Sequence, residues 1–172
     1  MWLPARQSPH KSDRVPASGS DRVAMLQRLT DGEPRFSIDA REIGRAGPSF
    51  TVDTLRELHA ARPGTRWWLV IGQDQYARFD TWHDWRGILA LAGLAVAARD
   101  GDPVHAAPGL AGVDHERRIV QMPAPPHSAT AVRERAAAGL DVTALVGAPV
   151  ARYIADHHLY RAAPAARNEQ QN

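Results

Sequence analysis

The sequence contains no cysteine. This absence excludes disulfide bonds, thiolate metal ligands and a cysteine nucleophile. The chain also lacks a run near the roughly 18 continuous apolar residues that a membrane-spanning helix needs. Its N-terminus shows no charged segment followed by an apolar stretch, which a signal peptide would require. We therefore expect a cytoplasmic protein without a membrane partner.

Lysine is almost missing as well, since Lys11 is the only lysine among 21 basic residues. Nineteen acidic residues leave a formal net charge of only +2. The acidic residues are interspersed with the arginines, so the charge pattern does not favour a nucleic-acid partner. A length of 172 residues, 44% of them hydrophobic, suffices for one soluble domain with a hydrophobic core.

Apolar stretches of strand length alternate with amphipathic helical segments along the chain. The predicted strands are WLP (2–4), RFSIDAREI (35–43), RWWLVIG (66–72), LAVAA (94–98) and RRIVQM (about 118–122). The predicted helices are SGSDRVAMLQRLTDG capped by Ser18 or Ser20, SFTVDTLRELHAAR, WHDWRGILALAG capped by Thr81, PPHSATAVRERAAAG from Ser128, and 149–157. This alternation predicts an α/β class with a doubly wound parallel sheet whose central strands are covered on both faces. We assign 1–160 to one domain and 161–172 to a disordered tail.

Ligands of such sheets bind beyond the carboxyl ends of the strands, which makes IGQD, directly after WWLV, a predicted ligand loop. Gly72 would let a ligand approach the backbone, and Asp74 could hold ribose hydroxyls. Trp82 offers a flat face to an aromatic ring. The alternative is that Trp82 and Trp85, three residues apart, both pack in the core, an interpretation we prefer for Trp85.

Three further stretches carry groups that suit an anion. In SPHK, Lys11 could meet a phosphate or form an ordinary exposed pair with its histidine neighbour. In GPSFT, the backbone N–H groups at a helix start favour a carboxylate, although every helix has such an end. In HSATAVR, Ser128 and Thr130 flank a helix start and Arg133 lies one turn on, which could form a phosphate cradle or a simple cap.

In their order and spacing these stretches resemble a known family. PHK, GPSFTVDTL, IGQDQ…TWHDW, SATAVR and VARYIADHHLY are similar to the bacterial nicotinate-nucleotide adenylyltransferases, over nearly the whole chain to about Tyr160. PSFTVDTL followed by IGQD and TWHDW is the specific part. The related enzymes that adenylylate phosphopantetheine share the fold and the Ser/Thr…Arg helix start but not that combination. The resemblance implies a Rossmann-like nucleotidyltransferase fold.

The resemblance also implies a reaction, in which the phosphate of nicotinate mononucleotide attacks the α-phosphate of ATP, assisted by Mg²⁺. The products are deamido-NAD and pyrophosphate, without a covalent intermediate. The resemblance assigns Lys11 to the phosphates or the nucleotide near them, the N–H groups around Phe50 and Thr51 to the nicotinate carboxylate, and Trp82 to the pyridine ring. It assigns Gly72 and Asp74 to the sugar. Ser128, Thr130 and Arg133 would bind the ATP phosphates, and Arg99 a further phosphate.

The sequence departs from the family pattern in two ways. His127, Ala129 and Phe50 replace an isoleucine, a serine and a common tyrosine. More seriously, the family's Gly-rich first strand and turn with Phe-Asp-Pro-x-His-x-Gly-His has no counterpart here, so we assign no catalytic residue. We expect on the order of 35 residues of one βαβ step to be missing, and the chain to be an N-terminally shortened enzyme, poorly stable and nearly inactive alone. The alternative is a catalytically dead remnant that binds nucleotide or a partner chain.

Overall fold

The structure is a computed structural model that describes residues 1–5, 17–99, 103–123 and 128–161. Its helices and strands in chain order are α1 (Gly19–Thr30), α2 (Arg41–Gly44), α3 (Thr51–Ala61), β1 (Trp67–Gly72), α4 (Gln73–Tyr76), α5 (Trp85–Leu91), β2 (Ala92–Arg99), β3 (Arg117–Met122), α6 (Ala129–Ala137), α7 (Thr143–Val146) and α8 (Ala148–Asp156). The chain divides into two compact units. We call Gly47–Pro125 the sheet unit, and Met1–Ala46 with Pro126–Asn172 the terminal unit.

The sheet unit contains three parallel strands in the order β1-β2-β3. Gly72 pairs with Ala97, and Arg99 pairs with Met122, so the carboxyl ends of the strands share one edge of the sheet. Helices α4 and α5 separate β1 from β2, whereas the described residues between β2 and β3 contain only a 3₁₀ turn, Pro108–Leu110; both connections return the chain for a parallel strand. The predicted α/β class and these three strands are confirmed.

Helices cover one face of this sheet. Helix α3 packs against α5, which packs against β2. Leu94, Val96 and Ile88 are completely buried as a result. The opposite face is less well covered, because Val70 of β1 is 69% exposed and every residue of β3 is exposed. The prediction of a strand covered on both faces is therefore wrong for β1. Within the described residues, β1 has a strand neighbour on one side only.

The terminal unit is built mainly from helices. Helix α1 begins with a capping box, in which the Ser18 hydroxyl accepts from the Asp21 N–H and the Asp21 carboxylate accepts from the Ser18 N–H. It packs against α8, and an apolar cluster joins α6 to α8 through Val132, Val150 and Ile154. The predicted capping at Ser18 and the predicted helices α1, α6 and α8 are confirmed.

The two strands predicted for the terminal unit are reduced to a single parallel bridge between Trp2 and Ile38. The expected strand over 35–43 is wrong beyond that bridge, since α2 begins at Arg41. Its physical reason is local: the Asp39 carboxylate accepts hydrogen bonds from the Arg41 N–H at 3.0 Å and the Arg41 guanidinium at 2.7 Å, which closes a turn.

Two predicted features lie outside the described residues. These are the SPHK loop with Lys11 and the tail after Arg161. In the part of the chain that is described, no helix combines the length and the apolar composition needed to cross a membrane.

Candidate functional site

Helix α3 starts at Thr51, the last residue of the GPSFT stretch. Phe50 is its N-cap residue, and no side chain caps this helix start. The backbone oxygen of Phe50 accepts from the N–H groups of Asp53 and Thr54 at 3.1 and 3.3 Å. The helix has 11 residues, so its N-terminus carries the positive end of a macrodipole together with N–H groups that no side chain caps. This arrangement suits a carboxylate.

A second stretch meets α3 at this end. The ring of Phe50 stacks on the ring of His83, with centroids 4.2 Å apart and planes 30° apart. Trp82, the preceding residue, is half-buried and lies against buried Phe79 at 5.3 Å between ring centroids. The fold therefore brings Phe50 and Trp82, both predicted site residues, into neighbouring positions. Trp85 is 9% exposed and packs in the core, which confirms its predicted role.

Asp84 ends this aromatic stretch and starts α5. Its Oδ1 accepts a hydrogen bond from the Gly87 N–H at 3.1 Å, so Asp84 is the N-cap. The predicted cap at Thr81 is wrong because Thr81 lies in a 3₁₀ turn, Phe79–Thr81, where its hydroxyl donates to the Arg78 carbonyl at 2.7 Å. Trp82 is then extended, with ψ 144°, and a helix cannot begin before it.

The IGQD loop turns from β1 into the short helix α4. Gly72 is the N-cap residue, and a Cβ there would lie 2.6 Å from Oδ1 of Asp74. A larger residue at position 72 would therefore displace the Asp74 carboxylate, which folds back toward the helix start. The side-chain amide of Gln75 donates to Asp74 at 3.0 Å and holds the pKa of this carboxyl below its usual value. An exposed, ionised Asp74 can accept hydrogen bonds from sugar hydroxyls.

Tyr76 anchors the end of α4 to the segment before β3. The His115 Nδ1 donates to the Val113 carbonyl at 2.8 Å, because a carbonyl can only accept. Its Nε2 therefore accepts from the Tyr76 hydroxyl at 2.9 Å, and the Tyr76 oxygen accepts from Arg117 at 2.9 Å. Since Tyr76 is fully buried, this chain of hydrogen bonds fixes where the loop leaves the strand.

Buried polar atoms without hydrogen-bond partners occur in both the GPSFT and the IGQD stretches. Among the described residues, the buried side-chain polar atoms that lack a hydrogen-bond partner are Ser49 Oγ, Trp67 Nε1 and Gln73 Oε1. Ser49 belongs to GPSFT, and Gln73 belongs to IGQD. Buried polar groups are normally paired, so these two atoms are consistent with a polar ligand that completes their hydrogen bonds.

The remaining predicted residues are placed as follows. Arg99 is exposed at the end of β2, on the same sheet edge as Gly72. In the terminal unit, Ser128 caps α6 by accepting from the Ala131 N–H at 3.1 Å, and Arg133 donates to the Thr130 hydroxyl at 3.0 Å. Ser128, Thr130 and Arg133 thus lie together at one helix start, while Lys11 lies outside the described residues.

The described residues contain no group of three or more His, Asp or Glu side chains placed to hold a metal ion. A metal held largely by protein ligands therefore does not fit this part of the chain. Mg²⁺ commonly stays bound to substrate phosphates and water with only one or two protein oxygens.

The comparisons with known proteins agree with this geometry. A family model described as cytidylyltransferase-like matches residues 1–135. A relative from Methylibium petroleiphilum named "Probable nicotinate-nucleotide adenylyltransferase" is 44% identical, over 92% of this chain and 76% of the relative. One of the same name from Albidiferax ferrireducens is 42% identical, over 94% of this chain and 82% of that protein. The chain belongs to the nicotinate-nucleotide adenylyltransferase family.

A solved structure supports the fold of this adenylyltransferase-family chain. The nicotinic acid mononucleotide adenylyltransferase of Plasmodium falciparum, in complex with NaAD, matches with a TM-score of 0.68 and 13% identity. The match covers 92% of this chain and 80% of that one. The resemblance to this family and the nucleotidyltransferase fold, both inferred from the motifs, are confirmed.

Sequence reasoning missed three residues of the candidate site. These residues are His83, which stacks on Phe50, and Asp84 and Arg56, which pair with each other. The residue types in TWHDW point to Trp82 as an aromatic face and to Trp85 as a core residue, and Arg56 resembles any exposed arginine on an amphipathic helix. Nothing in the local sequence shows that residues 56 and 84 would meet.

Proposed function

We propose that this chain transfers the adenylyl group of ATP to nicotinate mononucleotide, giving deamido-NAD and pyrophosphate. The observation that carries the proposal is the meeting of Phe50, at the start of α3, with the segment that holds Trp82. An uncapped helix start beside an aromatic face suits a flat ring that bears a carboxylate. Nicotinate has these two features. The reaction consumes ATP, which is consistent with a cytoplasmic location for the protein.

The proposed chemistry is a single displacement at phosphorus. A phosphate oxygen of nicotinate mononucleotide forms a bond to the α-phosphorus of ATP. The bond from that phosphorus to the bridging α–β oxygen breaks, and pyrophosphate leaves with the electron pair. The protein aligns two anions and offsets the charge that develops, so no covalent intermediate on the protein is needed.

We assign the substrate contacts from the family motifs, and the geometry within each unit supports them. The N–H groups around Phe50 and Thr51 would bind the carboxylate, and Trp82 would stack on the pyridine ring. Gly72 and Asp74 would meet the sugar, and Arg99 a phosphate. Ser128, Thr130 and Arg133, which lie together on α6, would hold ATP phosphates, as Lys11 would from its loop. Mg²⁺ would arrive with ATP, and we derive no step through it.

We further propose that catalysis by this chain is weak. The sequence contains no Phe-Asp-Pro-x-His-x-Gly-His motif, and the family's histidines of that motif stabilise the transferring phosphate. Within the described residues, β1 pairs with a strand on one side only, so its other edge can accept a further strand. The same observation favours a second candidate function, a remnant that binds nucleotide or a partner strand without turnover.

The test is an assay of deamido-NAD formation from ATP and nicotinate mononucleotide. This chain would be compared with a version extended before Met1 by the corresponding motif-bearing segment of a relative. We expect substantial turnover from the extended version and at least a 100-fold lower rate from this chain, in line with the loss of charge stabilisation at the transition state, worth about 10²–10³ per donor.

Each outcome separates the proposals. Equal rates for the two versions would refute the impairment. Inactivity of both versions together with tight ATP binding by this chain would favour the nucleotide-binding remnant. A matched extended version in which both motif histidines are replaced by alanine controls for stabilisation by the added strand alone.

A further inference from the structure

Asp84 has an unusual backbone for a residue that is not glycine. Its φ and ψ are 46° and 48°, in the left-handed region. Residues with a Cβ visit this region at an energetic cost, and they persist there when surrounding contacts determine the conformation. The residue directly follows the aromatic pair Trp82–His83, so its conformation sets the direction of the chain at that point.

Contacts from two helices hold Asp84 in place. Its Oδ1 accepts from the Gly87 N–H at 3.1 Å, and its Oδ2 accepts from Arg56 Nη2 at 2.6 Å. Arg56 also donates to Asp53 at 3.0 Å. A Cβ on Gly87 would lie 2.7 Å from Cγ of Asp84, so a glycine leaves the room that the carboxylate needs. We call Asp53, Arg56, Asp84 and Gly87 the clamp.

The clamp connects the two halves of the proposed pyridine site. Asp53 and Arg56 lie within the first two turns of α3, just after the start at Thr51. Asp84 follows the segment whose His83 ring already stacks on Phe50. Two contacts therefore join α3 to this segment: an aromatic stack at His83 and an ion pair at Asp84.

We propose that Asp84 and Arg56 are positioning residues that set the spacing between the Trp82–His83 segment and the start of α3, and thereby the fit of a pyridine carboxylate. This proposal rests on the proposed function. The Arg56 and Asp84 side chains are 54% and 39% exposed. Ion pairs as exposed as this contribute little to stability, so breaking the Arg56–Asp84 pair alone should leave the fold nearly as stable.

The first arm of the test measures binding of nicotinate mononucleotide and of ATP to the whole chain by calorimetric titration. Asp84→Ala removes the cap and the ion pair, and we expect it to weaken nicotinate mononucleotide binding about 10-fold, because small misplacements of binding groups are costly. ATP binding should stay within about 2-fold. Asp84→Asn keeps a cap and tolerates the left-handed backbone, so it should lose less.

Arg56→Gln breaks the same ion pair from α3. We expect the double variant Arg56→Gln with Asp84→Asn to bind no more weakly than the poorer single variant, because both remove one interaction. Arg35→Gln is the matched control, since it breaks the exposed pair between Arg35 and Glu33 in the terminal unit. It should change neither affinity.

The second arm needs no ligand. The stacked Phe50 ring should shift the ring-proton resonances of His83 in the NMR spectrum, and we expect Asp84→Ala and Arg56→Gln to reduce that shift. Unchanged His83 shifts would overturn the positioning role. The wild-type chain could bind nicotinate mononucleotide while no clamp variant weakens that binding. This result would also overturn the positioning role, and it would leave the proposed function intact. A wild-type chain that binds no nicotinate mononucleotide, even when extended, would overturn the proposed function and the substrate role of the clamp together.

Discussion

At the scale of single residues, Trp82 carries the most direct claim. It lies half-buried against Phe79, with one neighbour, His83, already stacked on Phe50. Trp82→Ala should weaken binding of nicotinate mononucleotide about 3- to 10-fold, in line with the 0.5–1.5 kcal/mol of an aromatic pair. Titration of the chain with that ligand measures the effect. Trp82→Phe keeps an aromatic face and should recover most of the affinity, and equal losses in both variants would contradict a stacking role.

Arg133 carries the corresponding claim for ATP. Its guanidinium donates to the Thr130 hydroxyl at 3.0 Å and is thereby held at the start of α6. Arg133→Ala should weaken ATP binding about 10-fold or more, since hydrogen bonds to charged groups contribute about 1.5–3 kcal/mol.

Arg135 provides the control on the same helix. Its guanidinium donates to the Asp141 carbonyl at 3.1 Å, away from the helix start. Arg135→Ala removes the same charge and should leave ATP affinity unchanged. Similar losses in the two variants would mean that only the overall positive charge matters.

At the scale of elements, α1 and α8 are joined by a hydrogen bond whose strength depends on pH. The Tyr153 hydroxyl donates to the Asp21 carboxylate at 2.9 Å. The Ser18 hydroxyl, with help from Tyr153, lowers the pKa of Asp21. Burial, together with the hydrogen bond to Asp21, raises the pKa of Tyr153.

The directions of these two pKa shifts predict the pH range in which the hydrogen bond stabilises the fold. A lowered carboxyl pKa stabilises the fold above the unfolded value, about pH 4, and the contribution is lost as pH falls through the folded pKa. A raised tyrosine pKa stabilises the fold below about pH 10 and is lost as pH rises through the folded pKa. Tyr153→Phe should therefore lower Tm by a few degrees at pH 7, and the difference from wild type should shrink outside this window. Thermal scans by circular dichroism measure it, and a constant difference at every pH would contradict this coupling.

The elements also separate what local patterns predict from what they do not. Ser18, Ser128 and the apolar runs of β1 and β2 predicted their elements because capping and periodicity act within a few residues. The strand expected at 35–43 failed because the Asp39 side chain closes a turn that competes with it. The cap expected at Thr81 failed because a 3₁₀ turn comes first.

At the scale of the whole molecule, the two compact units predict unfolding that is not two-state. Four tryptophans, Trp67, Trp68, Trp82 and Trp85, belong to the sheet unit, and Trp2 belongs to the terminal unit. Tryptophan fluorescence therefore reports mainly the sheet unit, whereas far-UV circular dichroism reports the helices of both. We expect the two urea midpoints of this chain to differ, because coincident probes are the mark of a single cooperative transition.

The version extended before Met1 by the motif-bearing segment of a relative provides the comparison for this unfolding experiment. A strand added beside β1 would cover its open edge, and we expect the midpoints to move upward and to coincide. Trp2→Phe is the control, since it should leave the fluorescence transition of this chain in place. Coincident midpoints in this chain without the extension would show that the two units already unfold together.

The sequence by itself determined the α/β class, the parallel strands β1 to β3, the main helices and the family. These depend on short-range patterns and on motifs that keep their spacing along the chain. Only the tertiary structure decided that His83 stacks on Phe50 and that Arg56 reaches Asp84 across 28 positions. It also decided that, among the described residues, β1 pairs with a strand on one side only. The reason is physical: such contacts depend on how α3, α5 and the sheet pack, and packing brings together residues whose separation in sequence carries no signal.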